Sequence, residues 1–348
     1  MMEFGIGSAL IGKPHKPYII AEIAQAHDGS LGYAYSFVEL AKEIGADAIK
    51  FQTHISKAES TWDEEFRVNI FPQDKTRYEY WQRMEFTPNQ WARLFEHAKN
   101  VGIEPLSSAF SIKAVQMLDE LGINAWKVAS GEISNLPLLE AMCETRKPVL
   151  LSSGLSSYEE IDRALDVLKK QKVQYALFQC TSKYPTPIEE VGINILNDFM
   201  NRYGCPIGLS DHSANPYVPI TAMAKGASMI EAHLCLHPHQ FGPDTGSSLT
   251  PEQFKMVCEA RDVIYTLNSN FTNKNDTGET LKHTKALFNK SLSLKEDQKA
   301  GTLITEDMLT LKKPGTGIPL EQQKKVIGRT LKSDKSCERL LNFDDFKK

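Results

Sequence analysis

No two of the six cysteines in this 348-residue chain have the Cys-x-x-Cys spacing of a zinc or redox motif. They are scattered at 143, 180, 205, 235, 258 and 337, which argues against a disulfide or zinc framework and for a reducing, cytoplasmic compartment. No apolar run approaches the roughly 20 residues that cross a bilayer, so no membrane partner is expected. The opening "MMEFGIGSALIGKPHK" lacks the charged-then-apolar pattern of a secretory leader, because Glu3 and the glycines interrupt it. Positive charge is not in excess. The formal net charge is −4 and the isoelectric point near 6.2, which shows no basic field for a phosphate backbone and argues against nucleic acid as a partner class. A Gly-rich dinucleotide turn is also missing, since the first strand candidate is followed by "AEIAQAHDGS".

What the chain does have is alternation. With 41% apolar and 24% charged residues it has the composition of an ordinary globular protein. From Tyr18 to about Leu236, eight short apolar runs recur: "YIIAEIA", "DAIKFQT", "EPLSSAF", "AWKVASG", "PVLLSSG", "YALFQCTS", "PIGLSDHS" and "MIEAHLCL". Between most of them lie amphipathic stretches such as "NQWARLFEHAKNVG", with apolar residues three and four apart. Eight strands alternating with helices predict an α/β chain closed as a (β/α)8 TIM barrel over residues 1–267. A doubly wound open sheet is the competing architecture. Residues 55–87 form a long insertion after the second strand, with Tyr78, Tyr80 and Trp81 close together. It reads either as a lid or partner contact or as a packed excursion over the barrel wall. A helix at Pro251–Leu267 precedes the polar "NSNFTNKNDTGET", read as a linker over 268–282. Residues 283–348 then form a small, mostly β module, too small to bury much core alone.

Chemistry in a (β/α)8 barrel sits at the C-terminal strand ends, and here all eight ends are polar. They carry Glu22; Lys50 and Gln52; Ser107, Ser108 and Ser111; Lys127, Ser130 and Glu132; Ser152 and Ser153; Thr181, Ser182 and Tyr184; Ser210, Asp211 and His212; Glu231 and His233. Two lysines amid hydroxyls suit a phosphate or carboxylate dianion. His212 and His233 end adjacent strands, with Glu22, Asp211 and Glu231 expected nearby. Two imidazoles completed by water and substrate oxygens suit Mn²⁺, and Mg²⁺ less well, better than a closed zinc site. Cys235 is a minor alternative ligand, because it would share the face of His233.

These residues lie in stretches that resemble the sialic acid synthase family, the N-acetylneuraminate synthases and their nonulosonate relatives. The matching stretches are "IIAEIAQAHDGSL", "GADAIKFQTH", "LSSAFS", "WKVASGE", "LSSGLSS", "QCTSKYPTP", "IGLSDHS", "IEAHL" and "FGPD". The C-terminal "GTLITEDMLTLKKPGTGIP" resembles the antifreeze-like (SAF) module of that family. The resemblance implies condensation of phosphoenolpyruvate with an N-acetylated amino sugar and release of phosphate. It places Lys50, Ser108, Lys127, Ser130, Ser153 and Ser210 on phosphoenolpyruvate, and Gln52, Tyr184 and Asp244 on the sugar. Glu22 and Glu132 are the implied acid/base or sugar-orienting carboxylates, and His212 and His233 the metal ligands. It also implies a domain-swapped homodimer whose SAF module caps the partner's barrel, with Phe288 and Lys313 reaching the sugar. The chain departs from the family pattern at Ala26, Ser108, Ala109, Ala232 and Lys312-Lys313, none of which removes a metal ligand or phosphate donor. "FQTH" and "GPD" lean toward the neuraminate and legionaminate branches.

Two other classes fit parts of the pattern. A different barrel aldolase or lyase acting on a phosphorylated sugar would use the same strand-end residues without the small module. A non-catalytic sugar-binding relative would not need two histidines and two lysines intact.

Overall fold

The computed structural model describes residues 2–347, the side chain of Thr277 excepted. It divides into two units, the first ending at Ser269 and the second beginning at Asn270. In the first, eight parallel strands close into a barrel: β1 (Tyr18–Ala24), β2 (Ala48–Thr53), β3 (Glu104–Ala109), β4 (Trp126–Val128), β5 (Val149–Ser152), β6 (Tyr175–Cys180), β7 (Ile207–Asp211) and β8 (Met229–His233). β8 pairs back to β1, with His233 opposite Glu22.

Strict alternation along these strands separates two cores. Ile19, Ala21, Ile49, Phe51, Ile230 and Ala232 face outward and pack under the helices. Ile20, Ala48, Leu106, Leu150, Phe178 and Met229 face inward. Because both faces are buried, the strands read as continuous apolar runs, as expected of a parallel sheet. An antiparallel hairpin, Phe4–Ile6 with Ala9–Ile11, adds Phe4, Ile6 and Ile11 to the inner core. It therefore plugs the N-terminal end of the barrel and leaves the other end for the site.

The helices start where the sequence supplies caps. Thr87 and Ser157 each form a capping box with the third helical residue, Gln90 and Glu160, satisfying amide donors that the first turn leaves open. The helix Pro88–Val101 buries Trp91, Leu94, Phe95 and Ala98, a single face at spacings of three and four.

Inside the barrel one position tolerates no side chain. A Cβ built on Gly208 would lie 2.7 Å from the Phe178 ring and 3.0 Å from the Met229 carbonyl oxygen. Gly208→Ala is accordingly expected to cost about 1–3 kcal/mol in denaturant unfolding, the usual cost of overpacking a filled core. Adding Phe178→Leu should recover part of the loss.

The insertion does not lie on the barrel wall. It carries helices Ser56–Glu59 and Arg77–Met84 and has its own small core of Phe71, Tyr80, Trp81 and Met84. Arg83 ties it down, bonding Asp74 through Nη2 at 2.7 Å and Asp28 through Nη1 at 2.6 Å.

In the second unit, Ser291–Leu294 pairs antiparallel with Leu309–Lys312 around a core that includes Leu292, Leu294, Ile304, Leu331, Leu341 and Phe346. The segment read as a polar linker is partly helical, over Lys274–Thr280, with a further helix at Lys282–Phe288. The reason is local: the Asn273 side chain accepts from the Asn275 amide at 3.0 Å, an N-terminal cap that the polar composition concealed. Among the described residues no helix is long and apolar enough to cross a membrane.

Candidate active site

Alternation carries Glu22, Lys50, Ser108, Lys127, Ser152, Ser210 and Glu231 to the inner face, one layer above the inner core. The register aligns Glu22 with Lys50, Ser108 with Lys127, and Ser210 with Glu231. Lys50 ion-pairs with Glu22 through its Nζ, which also donates to Ser108 Oγ at 3.3 Å and lies 3.8 Å from Glu231 Oε2. Lys127 Nζ lies 3.1 Å from Glu231 Oε1 and donates to Ser152 Oγ at 2.5 Å. Ser210 Oγ donates to the same Glu231 oxygen at 3.0 Å.

All four charges are almost fully buried. Two cations and two anions out of water cost heavily in desolvation, and well-packed apolar residues would be at least as stable. Such a cluster is therefore a mark of function. Burial would raise the Glu231 carboxyl, but Lys127 and Lys50 overcome it and hold it down at about 2. Burial pushes Glu22 up in spite of Lys50. It pushes the Lys127 ammonium down, with Glu231 opposing. For Lys50 the two carboxylates outweigh burial and keep the charge in place.

Above this layer sit the two imidazoles, with ring centroids 5.2 Å apart. Nδ1 of His212 donates to the Thr181 carbonyl at 3.0 Å, which fixes the tautomer and leaves the Nε2 lone pair free. Burial, helped by His233, holds His212 down at about 3, so the ring is neutral at physiological pH. A neutral ring anchored by a backbone carbonyl is the form that ligates a metal. Glu231 Oε2, buried close by, has no hydrogen-bond partner among the described residues. These features fit a divalent cation held by two nitrogens and completed by water and substrate. They do not fit a closed cage, because no group of three or more His, Cys, Asp or Glu able to hold a metal occurs among the described residues. Two expectations are corrected here. Asp211 turns to its own loop, accepting from Ser213 N at 3.1 Å and Ser213 Oγ at 2.8 Å, because its strand position faces outward. Cys235 is likewise turned away, donating to the Leu249 carbonyl at 3.5 Å.

A cavity of about 440 Å³ opens over these groups, lined by Gln52, Ser130, Glu132, Tyr184, His233 and Asp244. The insertion supplies much of its remaining wall, including Glu59, Arg67 and Trp81. The Arg67 guanidinium pairs with Asp244 at 2.5 Å and lies 4.4 Å over the Tyr184 ring. That ring in turn packs 4.2 Å from His212.

A family model, the NeuB family, matches residues 37–271. The chain belongs to the NeuB family. It is 32% identical to the N,N'-diacetyllegionaminic acid synthase of Campylobacter jejuni, over 90% of this chain and 95% of that one. It is 32% identical to the N-acetylneuraminate-9-phosphate synthase of Homo sapiens, over 87% and 84%. The structure of an N-acetylneuraminic acid synthetase from Leptospira borgpetersenii, complexed with citrate, matches with a TM-score of 0.72 and 28% identity, covering 81% of this chain and 96% of that one.

In this NeuB-family chain the residues singled out from sequence, Ser153 apart, occupy three places. Glu22, Lys50, Ser108, Lys127 and Ser210 share the buried network. Gln52, Ser130, Glu132, Tyr184, His233 and Asp244 line the cavity, with His212 behind Tyr184. Phe288 and Lys313 lie in the second unit, where the Lys313 ammonium is 5.2 Å from the Phe288 ring. Ser153 donates its hydroxyl to the Phe178 carbonyl at 2.8 Å, while its neighbour Ser152 meets Lys127. Sequence reasoning listed Glu231 beside the histidines and Ser152 among the strand-end hydroxyls, and did not foresee that both bind Lys127. It gave no role to Arg67 or Glu59, which sit in the insertion and in no strand-end pattern, nor to His54, although His54 directly follows β2 in the quoted "FQTH".

One buried residue beside the cavity makes a pH-dependent claim. His27 accepts from the Gly29 amide at 3.1 Å, and burial, helped by His54 and Arg83, lowers it from 6.5 to about 3. The unfolded chain thus binds a proton that the folded chain refuses. The contribution of His27 to stability is complete above pH 6.5 and is lost as pH falls toward 3. Unfolding midpoints measured across that range should fall less steeply for His27→Asn than for the natural chain.

Proposed function

We propose that this chain condenses phosphoenolpyruvate with an N-acetylated amino sugar, N-acetylmannosamine or a 2,4-diacetamido relative, and releases phosphate by C–O cleavage. The observation that carries the reading is the pair of buried ammonium groups, Lys50 and Lys127, beneath a polar cavity that His233 lines, with the His212 ring 5.2 Å from that of His233. Membership of the NeuB family and the names of its relatives support it.

In this reading Lys50, Lys127, Ser108, Ser130, Ser153 and Ser210 hold the phosphate and carboxylate of phosphoenolpyruvate, so that its C3 meets the sugar aldehyde at close range. Gln52, Tyr184 and Asp244 face the sugar, and Glu132, held by Asn135 Nδ2 at 2.9 Å, orients it from the rim. A divalent cation on His212 and His233, Mn²⁺ in preference to Mg²⁺, would supply Lewis-acid polarisation of the aldehyde oxygen. Glu22, its carboxyl pushed up by burial, positions or deprotonates the water that adds at C2. A Schiff-base aldolase fits less well, because each lysine is paired with a carboxylate. Phosphate release measured with phosphoenolpyruvate and a panel of N-acetylmannosamine and 2,4-diacetamido sugars tests the reading. No release with any of them overturns it.

The small second unit is proposed to be a SAF module that caps the barrel of a partner subunit in a cytoplasmic homodimer, bringing Phe288 and Lys313 to the sugar. Its small core and the family resemblance support this. Mixing His233→Ala with a chain truncated after Thr280 is expected to restore part of the activity. Failure to do so, with subunit exchange demonstrated, would favour capping in cis.

A further inference from the structure

The cavity has two unlike walls. Around the strand ends it is polar, with Gln52, Ser130, Glu132 and His233. On the insertion side, every charged group that reaches the cavity already has a protein partner. Glu59 is bonded by His54 Nδ1 and by the Ile55 amide at 3.1 Å. Glu64 accepts from Trp81 Nε1 at 2.9 Å and lies 3.2 Å from Arg77 Nε. Arg77 also donates to the Glu65 carbonyl at 2.9 Å, and Arg67 is paired with Asp244. The Trp81 ring is covered as well, by the His54 ring at 3.8 Å, which Phe110 backs at 4.3 Å, and by the Arg77 guanidinium at 5.1 Å. What remains of this wall is Tyr80 and three apolar side chains, Phe66, Val68 and Phe71. Phe71 stacks on Tyr80 at 4.2 Å and lies 5.6 Å from Phe66, which holds the wall in place, and Val68 is 38% exposed.

The function proposed above, on which this inference rests, puts the sugar aldehyde at His212 and His233. The far carbons of the sugar then reach outward to the insertion. A hydroxyl set against Phe66, Val68 and Phe71 loses water and gains no partner, whereas a methyl group there gains by leaving water. A phosphate fares worst, since neither guanidinium in this wall is free of a carboxylate to receive it. We propose that the acceptor is an N-acylated amino sugar whose far end is apolar and uncharged, with a methyl in place of the hydroxymethyl group and a second acylamino group in place of a hydroxyl, and that Phe66, Val68 and Phe71 select it. The one hydroxyl of this wall, on Tyr80, is matched by the amide that such a group brings.

Phosphate release by the full chain, with phosphoenolpyruvate and Mn²⁺ present, compares three acceptors: a 2,4-diacetamido sugar with a methyl at C6, N-acetylmannosamine, and N-acetylmannosamine 6-phosphate. The first is expected to exceed the second in kcat/KM by at least about tenfold, or about 1.4 kcal/mol, and the third to fall at least about tenfold below the second. N-acetylmannosamine used as well as the first sugar, or its phosphate used as well as the free sugar, overturns the proposal. Phe66→Tyr with Val68→Thr adds two hydroxyls to the wall at nearly constant shape. The ratio of kcat/KM between the first two sugars should then fall at least about fivefold, and an unchanged ratio shows that this wall does not select. Val68→Thr alone, at its exposed position, should lower the ratio about twofold to threefold and decides the point if the double variant does not fold. No release from any of the three sugars ends the functional reading and this inference together. Release that favours N-acetylmannosamine ends this inference alone.

Discussion

Lys127→Met is expected to raise KM for phosphoenolpyruvate about a hundredfold while KM for the sugar changes by less than about threefold. The side chain of Lys127 is only 2% exposed, and a charge-assisted hydrogen bond in such a place contributes about 1.5–3 kcal/mol to holding a dianion. Methionine keeps the length and loses the charge. The same change leaves Glu231 with only Ser210 at 3.0 Å and the more distant Lys50 at 3.8 Å. Stripping one partner from a buried pair costs about 3–5 kcal/mol, so the variant should also unfold at lower denaturant. Lys127→Met combined with Glu231→Leu separates the two effects. The double variant should regain stability, because no buried charge is left unpaired, and should not regain affinity for phosphoenolpyruvate. Equal effects of Lys127→Met on both substrates would mean that the ammonium does not face the phosphate.

His233→Ala should lower kcat at least about a hundredfold, with a change in Tm of no more than a few degrees. Lewis-acid assistance supplies several kcal/mol to a transition state that develops charge on oxygen, and each 1.36 kcal/mol is a factor of about ten. The fold should hardly notice, since His233 sits at the end of β8 and faces the cavity. His212→Ala should match it, and the double variant should be little worse than either single, as expected of two residues acting as one unit. Chelation should abolish turnover in the natural chain, and Mn²⁺ should restore it. Full turnover after exhaustive chelation would remove the metal from the mechanism.

Much of this site was legible because strand and helix periods are local properties. The runs "YIIAEIA" and "MIEAHLCL" place Glu22, Glu231 and His233 by counting in twos from apolar neighbours, and the barrel rule then brings their ends together. Asp211 shows where that method slips. It was grouped with His212 by adjacency, but one step along a strand reverses the face. The short helix inside the segment read as a linker went unseen for the opposite reason: an Asn cap starts it in a stretch whose polar composition hides it.

The sequence by itself determined the eight-stranded barrel, the polar ends of its strands and the two histidines, because these depend on spacing along a single segment. Only the tertiary structure decided that Lys127 pairs with Glu231 and Lys50 with Glu22. It alone brought the insertion over the barrel mouth, and with it Arg67 onto Tyr184. It alone stacked His54 between Trp81 and Phe110 with its two nitrogens on Glu59 and Gln52. Those contacts join residues up to 177 positions apart, as in Arg67 with Asp244. They are chosen by which side chains can satisfy buried charges and donors once the barrel has closed, a condition that no local period encodes.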